Sequence, residues 1–278
     1  ILLEANKLCL EIIYRNALDR ELGRNLSQAD SLKLLMEKLY NEGSIGRKDC
    51  GEAALSATLA RSEYNRNRIE RDNLLAALAG MNGGEPVQLN ATEFAEAEML
   101  PADFAGWYSE AEDASPVLAY VAQQVNVSGQ ALKTGKIANA PKLTAGYMSE
   151  LVTGSEFRGL TLGVTIPLWS VKNNVRQAKA SYDASVKYQE DAAARYYTAM
   201  LQAYSRAQGL LDVLTDLESS MAEAEMTLRA VERRCALGES PVMELLVERS
   251  LYTTLMKNTL EARLDYNLAL ADLNAFKL

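Results

Sequence analysis

From Val171 to Cys235 the chain contains no proline and a single glycine, Gly209. Within this stretch Ala193, Met200, Ala207, Leu214, Met221 and Leu228 recur every seven residues, and Tyr197, Tyr204 and Leu211 stand four residues after Ala193, Met200 and Ala207. That is the seam of a coiled coil. A helix this long, at roughly 1.5 Å per residue, makes a rod of roughly 100 Å. Globular helices average about a dozen residues, so an extended helical assembly is expected. The rod ends in "RRCALGESPVMELL", where Gly238 suits a helix C-terminus, Ser240 an N-cap and Pro241 the first position of a new helix. The spacing predicts a long helix over 171–235 and a return helix over 241–276.

The same arrangement occurs near the start. "MEKLYNEGSIGRKDCGEAAL" closes one helix near Asn41, turns through Gly43 and Gly46, and opens a second that lasts to about Gly80. A shift of 195 residues (238 − 43) pairs Gly43 with Gly238, Glu37 with Glu232, Asp49 with Glu244 and Leu78 with Leu273. Turn, charge and apolar positions agree in one register, which reads as an internal two-fold repeat. Residues 1–80 form a first-repeat helical hairpin. Residues 81–114, rich in glycine, proline and acids, form loops and short helices. The second repeat occupies 115–278 and opens on a helix capped by Ser115 and Pro116.

Between the helices of the second repeat the period changes from seven to two. "PKLTAGYMSELV" sets Leu143, Ala145 and Tyr147 against Thr144, Gly146 and Met148. "GLTLGVTIPLW" sets Leu160, Leu162, Val164, Ile166 and Leu168 against Thr161, Gly163 and Thr165. A β-hairpin over 142–168 is predicted, with "TGSEFRG" as its turn and one apolar face. Each run is about ten residues, near the length of a tilted transmembrane strand. Tyr147 and Trp169 suit a membrane interface. A lone hairpin is not stable, and neither flanking helix offers a compact core, so its edges must pair with further strands.

Composition narrows the function. No run of about 18 apolar residues exists, which excludes transmembrane helices but not a β-barrel. The chain has no histidine, so histidine-based acid–base chemistry and the commonest metal ligand are absent. Its three cysteines are far apart and make no metal or redox pair. A net charge of −8 with no basic stretch argues against nucleic acid. No catalytic constellation, metal site or cofactor is expected, and the chain is not read as an enzyme. Ile1 begins in mid-helix with no N-cap, which reads as an interior cut.

These residues resemble the TolC-type outer-membrane efflux channels. The resemblance covers nearly the whole chain. Its most specific part is the order "APKLTAGY", "GLTLGVTIPLWSVKNNVRQAKA", an unbroken long helix, and "LGESPVMELLVERSLYTTL". It implies a homotrimer in the outer membrane of a Gram-negative bacterium. Four strands per protomer would build a twelve-stranded transmembrane β-barrel, continued by a periplasmic tunnel of helical hairpins. Residues 81–114 would be its equatorial belt, and the tips near Gly43 and Gly238 its periplasmic mouth. A periplasmic adaptor and an inner-membrane pump of a tripartite efflux or type I secretion system would engage that mouth. Because this chain holds one strand pair, the resemblance also implies that roughly 80 residues of the first repeat lie upstream.

The resemblance assigns roles to residues as well. Asp49, six after the tip glycine Gly43, matches a family acid that helps hold the mouth shut. Glu244 matches a constriction carboxylate, and Glu248 stands beside the position of a second. The family's latch arginine and tyrosine fall on Ser240 and Cys235, so Arg47 or Lys48 reaching Glu244 is the expected replacement latch. Gly43, Gly46, Gly238, Ser240 and Pro241 would shape the tip turns. Leu160, Leu162, Val164 and Ile166 would face outer-membrane lipid, and the intervening threonines and glycines the lumen. The rival reading is a soluble coiled-coil scaffold or adaptor. It differs from a channel in needing no detergent.

Overall fold

The computed structural model describes residues 1–95, 100–137, 140–152, 154–166 and 171–277. Its elements follow in the order α1 (Leu2–Asn41), α2 (Arg47–Met81), α3 (Phe104–Ala114), α4 (Pro116–Ile137), β1 (Lys142–Val152), β2 (Ser155–Thr165), α5 (Val171–Ala236) and α6 (Val242–Asn274). A 3₁₀ turn at Ala275–Lys277 closes the chain. Two compact units divide it, residues 1–104 with 201–278 and residues 105–200, and α5 contributes to both.

In the first unit α1, α2, α6 and the second half of α5 pack lengthwise. The heptad seam is where α5 enters the core: Ala207, Leu214 and Leu228 are buried, while Val213 and Met226 off the seam are exposed. Leu214 packs with Ala262, Tyr266 and Leu270 of α6. Leu18 and Leu22 of α1 close on Met256 of α6, flanked by Tyr64 and Met221. Each such side chain, once fully buried, contributes about 1.5–3 kcal/mol. The α1–α2 seam is made of small residues instead, Ala29 against Ala57 and Ala60. Side chains of that size let two helix backbones approach closely. Asn67 is 2% exposed there and donates from Nδ2 to the Arg15 carbonyl at 3.0 Å. Next to it Arg71 and Asp19 form an α2–α1 ion pair at 3.6 Å. Asn16 donates to the carbonyls of Leu89 and Ala91, which ties the segment after α2 onto α1.

The second unit holds most of α3, with α4, the two strands and the first half of α5. Ser115 caps α4 as its position before Pro116 predicts: its Oγ accepts from the Leu118 N–H at 3.3 Å, and the residue is buried. Small residues again set the approach of α4 to α5. A Cβ on Gly129 would stand 3.4 Å from the Tyr182 ring, and Ser128 and Ser185 share a hydrogen bond at 2.6 Å. Tyr196 donates to the Ala111 carbonyl, and Tyr108 stacks edge-on against Tyr197 at 4.9 Å. Burial, followed by the nearby Glu112 carboxylate, raises the Tyr108 phenol above its ordinary range.

Strands β1 and β2 form a two-stranded antiparallel ribbon running in register from Lys142↔Thr165 to Val152↔Ser155. The turn is tighter than the sequence suggests. Of the expected "TGSEFRG" turn, Ser155 to Gly159 belong to β2, and Gly154 takes φ +88° in the connection. Glycine accepts that positive φ without strain. Strand β2 ends at Thr165, so Ile166 follows the ribbon rather than belonging to it. The final residues of the hairpin expected over 142–168 lie outside the described residues, as does Trp169.

Because the α1–α2 seam is closed by alanines, Ala57→Leu should overpack it and lower stability by about 1–3 kcal/mol. The exposed neighbour change Thr58→Leu should stay within about 0.5 kcal/mol. Thermal unfolding followed by circular dichroism of both variants checks the contrast.

Candidate functional sites at the helix tips and the ribbon

The two helix tips are built on the same backbone. In the first, the Gly43 N–H bonds the Tyr40 carbonyl and the Ser44 N–H bonds the Leu39 carbonyl. In the second, the Gly238 N–H bonds the Cys235 carbonyl and the Glu239 N–H bonds the Arg234 carbonyl. Both are Schellman turns, and both place glycine in the left-handed region, at φ +74° and +73°. The helix ends also coincide under one shift: α1 and α5 stop at 41 and 236 (236 − 41 = 195), and α2 and α6 start at 47 and 242 (242 − 47 = 195).

Asp49 and Glu244 consequently occupy the same place, the third residue of α2 and of α6. Their surroundings differ. A Cβ on Gly46 would stand 3.6 Å from Asp49 Oδ2, so this carboxylate folds back over the start of its own helix, where the helix dipole favours it. Glu244 is held from two sides: Arg234 Nη1 donates to its Oε1 at 3.2 Å, and Ser240 Oγ donates to its Oε2. Ser240 was expected as the N-cap. Pro241 takes that position instead, and the serine hydroxyl bonds the Glu244 side chain in place of a backbone N–H. Lys48 pairs with Glu52 at 3.8 Å and Arg47 is exposed. Neither is brought to Glu244 within the chain. Glu248, one turn further along α6, is half-buried. One helical turn from the tip, Arg249 Nη2 reaches Glu232 Oε1 at 2.9 Å, with the arginine side chain 12% exposed.

Arg234 and Arg249 were not identified from sequence. Their partners lie across a turn on another helix, beyond any helical period. The one available signal was the pair Arg233–Arg234 in the last turn of α5, which reads simply as a favourable dipole interaction.

The ribbon sorts its side chains by face. Leu143 stands opposite Val164, Ala145 opposite Leu162 and Tyr147 opposite Leu160, so these six share one side. Leu160 and Leu162 are 85% and 86% exposed, and Ile166 beyond the strand is exposed as well. The other side pairs Thr144 with Gly163 and Gly146 with Thr161. Each threonine hydroxyl donates to the carbonyl of the opposite glycine at 3.2 Å. A Cβ on Gly163 would lie 2.6 Å from Thr144 Oγ1, and one on Gly146 would lie 2.9 Å from Thr161 Oγ1. A side chain at either glycine would therefore displace the threonine hydroxyl opposite it.

Among the described residues no helix is long and apolar enough to cross a membrane, and no group of three His, Cys, Asp or Glu side chains could hold a metal ion. Neither finding bears on a β-barrel.

Residues 107–276 match the outer membrane efflux protein family, more than half of the chain, and the protein belongs to that family. Its fold is that of solved outer-membrane channels. The CmeC channel of Campylobacter jejuni is similar over 98% of this chain and 61% of its own, at TM-score 0.77 and 14% identity. CusC is similar over 99% and 68%, at TM-score 0.82 and 16% identity. The open state of the MtrE channel of Neisseria gonorrhoeae is similar over 99% and 65%, at TM-score 0.73 and 22% identity. The chain thus spans about two thirds of the length of these structures. No match is found among curated proteins.

Gly163→Ala should force Thr144 to rotate away and lose its cross-strand bond, lowering the recovery of folded protein several-fold. Adding Thr144→Ala to the same chain should restore it, because the obstructing oxygen is then gone. Folded yield in detergent across the three variants checks the pairing.

Proposed function

We propose that this chain is a subunit of a passive outer-membrane duct for efflux or type I secretion. The observation that carries the reading is the ribbon. It is exposed on both faces, apolar on one and threonine–glycine on the other, with open edges. Water-soluble surfaces rarely leave a contiguous apolar face bare. In a bilayer an open sheet edge is costlier still, because unpaired backbone groups find no water there. A closed barrel answers both demands, with Leu143, Tyr147, Leu160, Leu162 and Val164 against lipid and the threonine–glycine face toward the lumen. Closure requires strands beyond this pair, which a homotrimer with four strands per protomer supplies.

The helices fit the same scheme. Leu34, Leu55, Leu59, Ile69, Val247 and Leu251 are exposed on the first unit, and further copies of the chain would cover such a surface. The matching tips and the single 195-residue shift support an internal duplication, in which each repeat gives one hairpin to a periplasmic tunnel. Residues 81–114 would wrap that tunnel as an equatorial belt. The tips would form its mouth, gated there and engaged by a periplasmic adaptor and an inner-membrane pump. Asp49, Glu244 and Glu248 are the acids placed to act at the mouth. The duct carries out no covalent step, so its selectivity follows from lumen width and lining charge.

The test uses neighbouring faces of the ribbon in the full gene product, expressed in a Gram-negative host. Leu162→Arg places a charge in lipid, at a cost of about 2–4 kcal/mol per copy near the bilayer centre. It should lower outer-membrane insertion at least tenfold. Met148→Arg, on the opposite face, should insert like the parent protein. Equal insertion of both variants, or a wild-type protein that stays soluble without detergent, would support a soluble scaffold and overturn the channel reading.

A further inference from the structure

At one level of the α1–α2 hairpin the packing turns polar. Asn67 Nδ2 bonds the Arg15 carbonyl, but the Oδ1 of this buried residue has no partner in the chain. One turn along each helix, Arg71 Nη1 and Asp19 Oδ2 stand 3.6 Å apart, too long for a good hydrogen bond. Arg71 Nη2 turns to the neighbouring Asp72 instead, at 3.4 Å. The Arg71 and Asp19 side chains are 24% and 22% exposed, yet Arg71 Nε and Asp19 Oδ1 are buried and unpartnered as well. Folded proteins leave few polar atoms in that condition, and here three fall in one layer. The second hairpin fills the same place differently. A shift of 195 residues carries Arg15, Asp19, Asn67 and Arg71 onto Leu210, Leu214, Ala262 and Tyr266. Leu214, Ala262 and Tyr266 are buried in one apolar cluster, with Leu210 packed against it. The backbone plan common to both hairpins therefore accepts an apolar layer at this level, and the first hairpin keeps a polar one.

We propose that Asp19, Asn67 and Arg71 form a hydration site that holds one ordered water molecule between α1 and α2, the three side chains and the water acting as one unit. The unpartnered atoms are two acceptors, Asp19 Oδ1 and Asn67 Oδ1, and one donor, Arg71 Nε. Water matches that set. It donates to both oxygens and accepts from the guanidinium, which makes the roughly three bonds typical of a buried water. A metal cation would meet the charge of Arg71. An anion would meet two oxygens, one of them a carboxylate's. The same water accounts for the loose ion pair, since it takes up bonds that Asp19 and Arg71 do not make to each other. A charge pair drawn out of bulk solvent gains little over apolar residues of similar size, but losing one member strands the other. The polar layer is therefore replaceable as a set and sensitive to the loss of any one part. The site does not depend on the channel reading.

Two measurements on the full-length protein test it. A high-resolution crystal structure should show one water within hydrogen-bond distance of Asp19 Oδ1, Asn67 Oδ1 and Arg71 Nε. Direct bonds among those three atoms overturn the proposal. So does a metal or halide ion in the layer, or a side chain of a second copy reaching into it. Thermal unfolding gives the second readout. Asp19→Leu and Arg71→Tyr each strand the opposite charge and should lower the midpoint by about 4 °C. The triple exchange Asp19→Leu, Asn67→Ala, Arg71→Tyr gives the first hairpin the residues of the second and needs no water. It should unfold above both single variants, near the wild-type midpoint. A triple variant no more stable than the single ones overturns the proposal, because the three residues then do not act as a unit. The crystallographic result stands whether or not any variant folds. A wild-type protein that holds the water but forms no pore removes the channel reading and leaves the hydration site in place.

Discussion

A two-stranded ribbon cannot satisfy itself. Each strand pairs along one edge and leaves the N–H and C=O groups of the other edge open, and two strands bury too little apolar surface to repay the ordering of the chain. In this protein the problem is acute, because the ribbon buries neither face: Leu143, Leu160 and Leu162 project from one side almost fully exposed. Its stability must be supplied by other strands and by whatever covers the leucine face. In the proposed channel, closure into a barrel would satisfy the edges, and lipid would cover the face. The threonine–glycine pairing on the far side then has a physical purpose. There Thr144 and Thr161 bond back to the glycines opposite, which keeps that stretch of the wall narrow and polar.

The helices obey a simpler rule, in which the size of the contact residues sets the spacing. Alanines between α1 and α2, and glycine and serine between α4 and α5, draw those backbones together. Leucine, methionine and tyrosine between α5 and α6 hold theirs wider apart. A strict seven-residue seam keeps one face of α5 in contact, while single apolar residues off the seam, such as Val213 and Met226, stay uncovered. One helix prepared for several neighbours fits a wall of helices shared between protomers better than a closed bundle.

Much of this was legible in the sequence because the signals are local. A heptad seam, a glycine at the end of a helix, a serine before Pro116 and an alternation around Leu162 each specify structure within a few residues. The tightness of the ribbon turn was not legible. "TGSEFRG" is as polar as a loop, and only the register shows that Ser155 to Gly159 continue the strand. The need for Gly146 and Gly163 was hidden for the same reason: it arises from a threonine on the partner strand. Ser240 was read as an N-cap because a serine before Pro241 has that pattern. Its hydroxyl instead bonds the Glu244 side chain, one residue beyond the capping-box spacing. What escapes a single sequence is side-chain partnership across a turn.

The two tips make that point physically. Their backbones repeat the same bonds in register because Schellman geometry needs only a glycine in the left-handed region and two carbonyls upstream, and both stretches keep these. The side chains carry no such obligation, so a copied turn can diverge in what it holds. At the first tip Asp49 rests on the dipole of its own helix, a weak and easily reversed interaction. At the second, a carboxylate in the same place is bonded on both oxygens. If the turns arose by duplication, the backbone of the turn was retained while the side chains that hold its acid diverged.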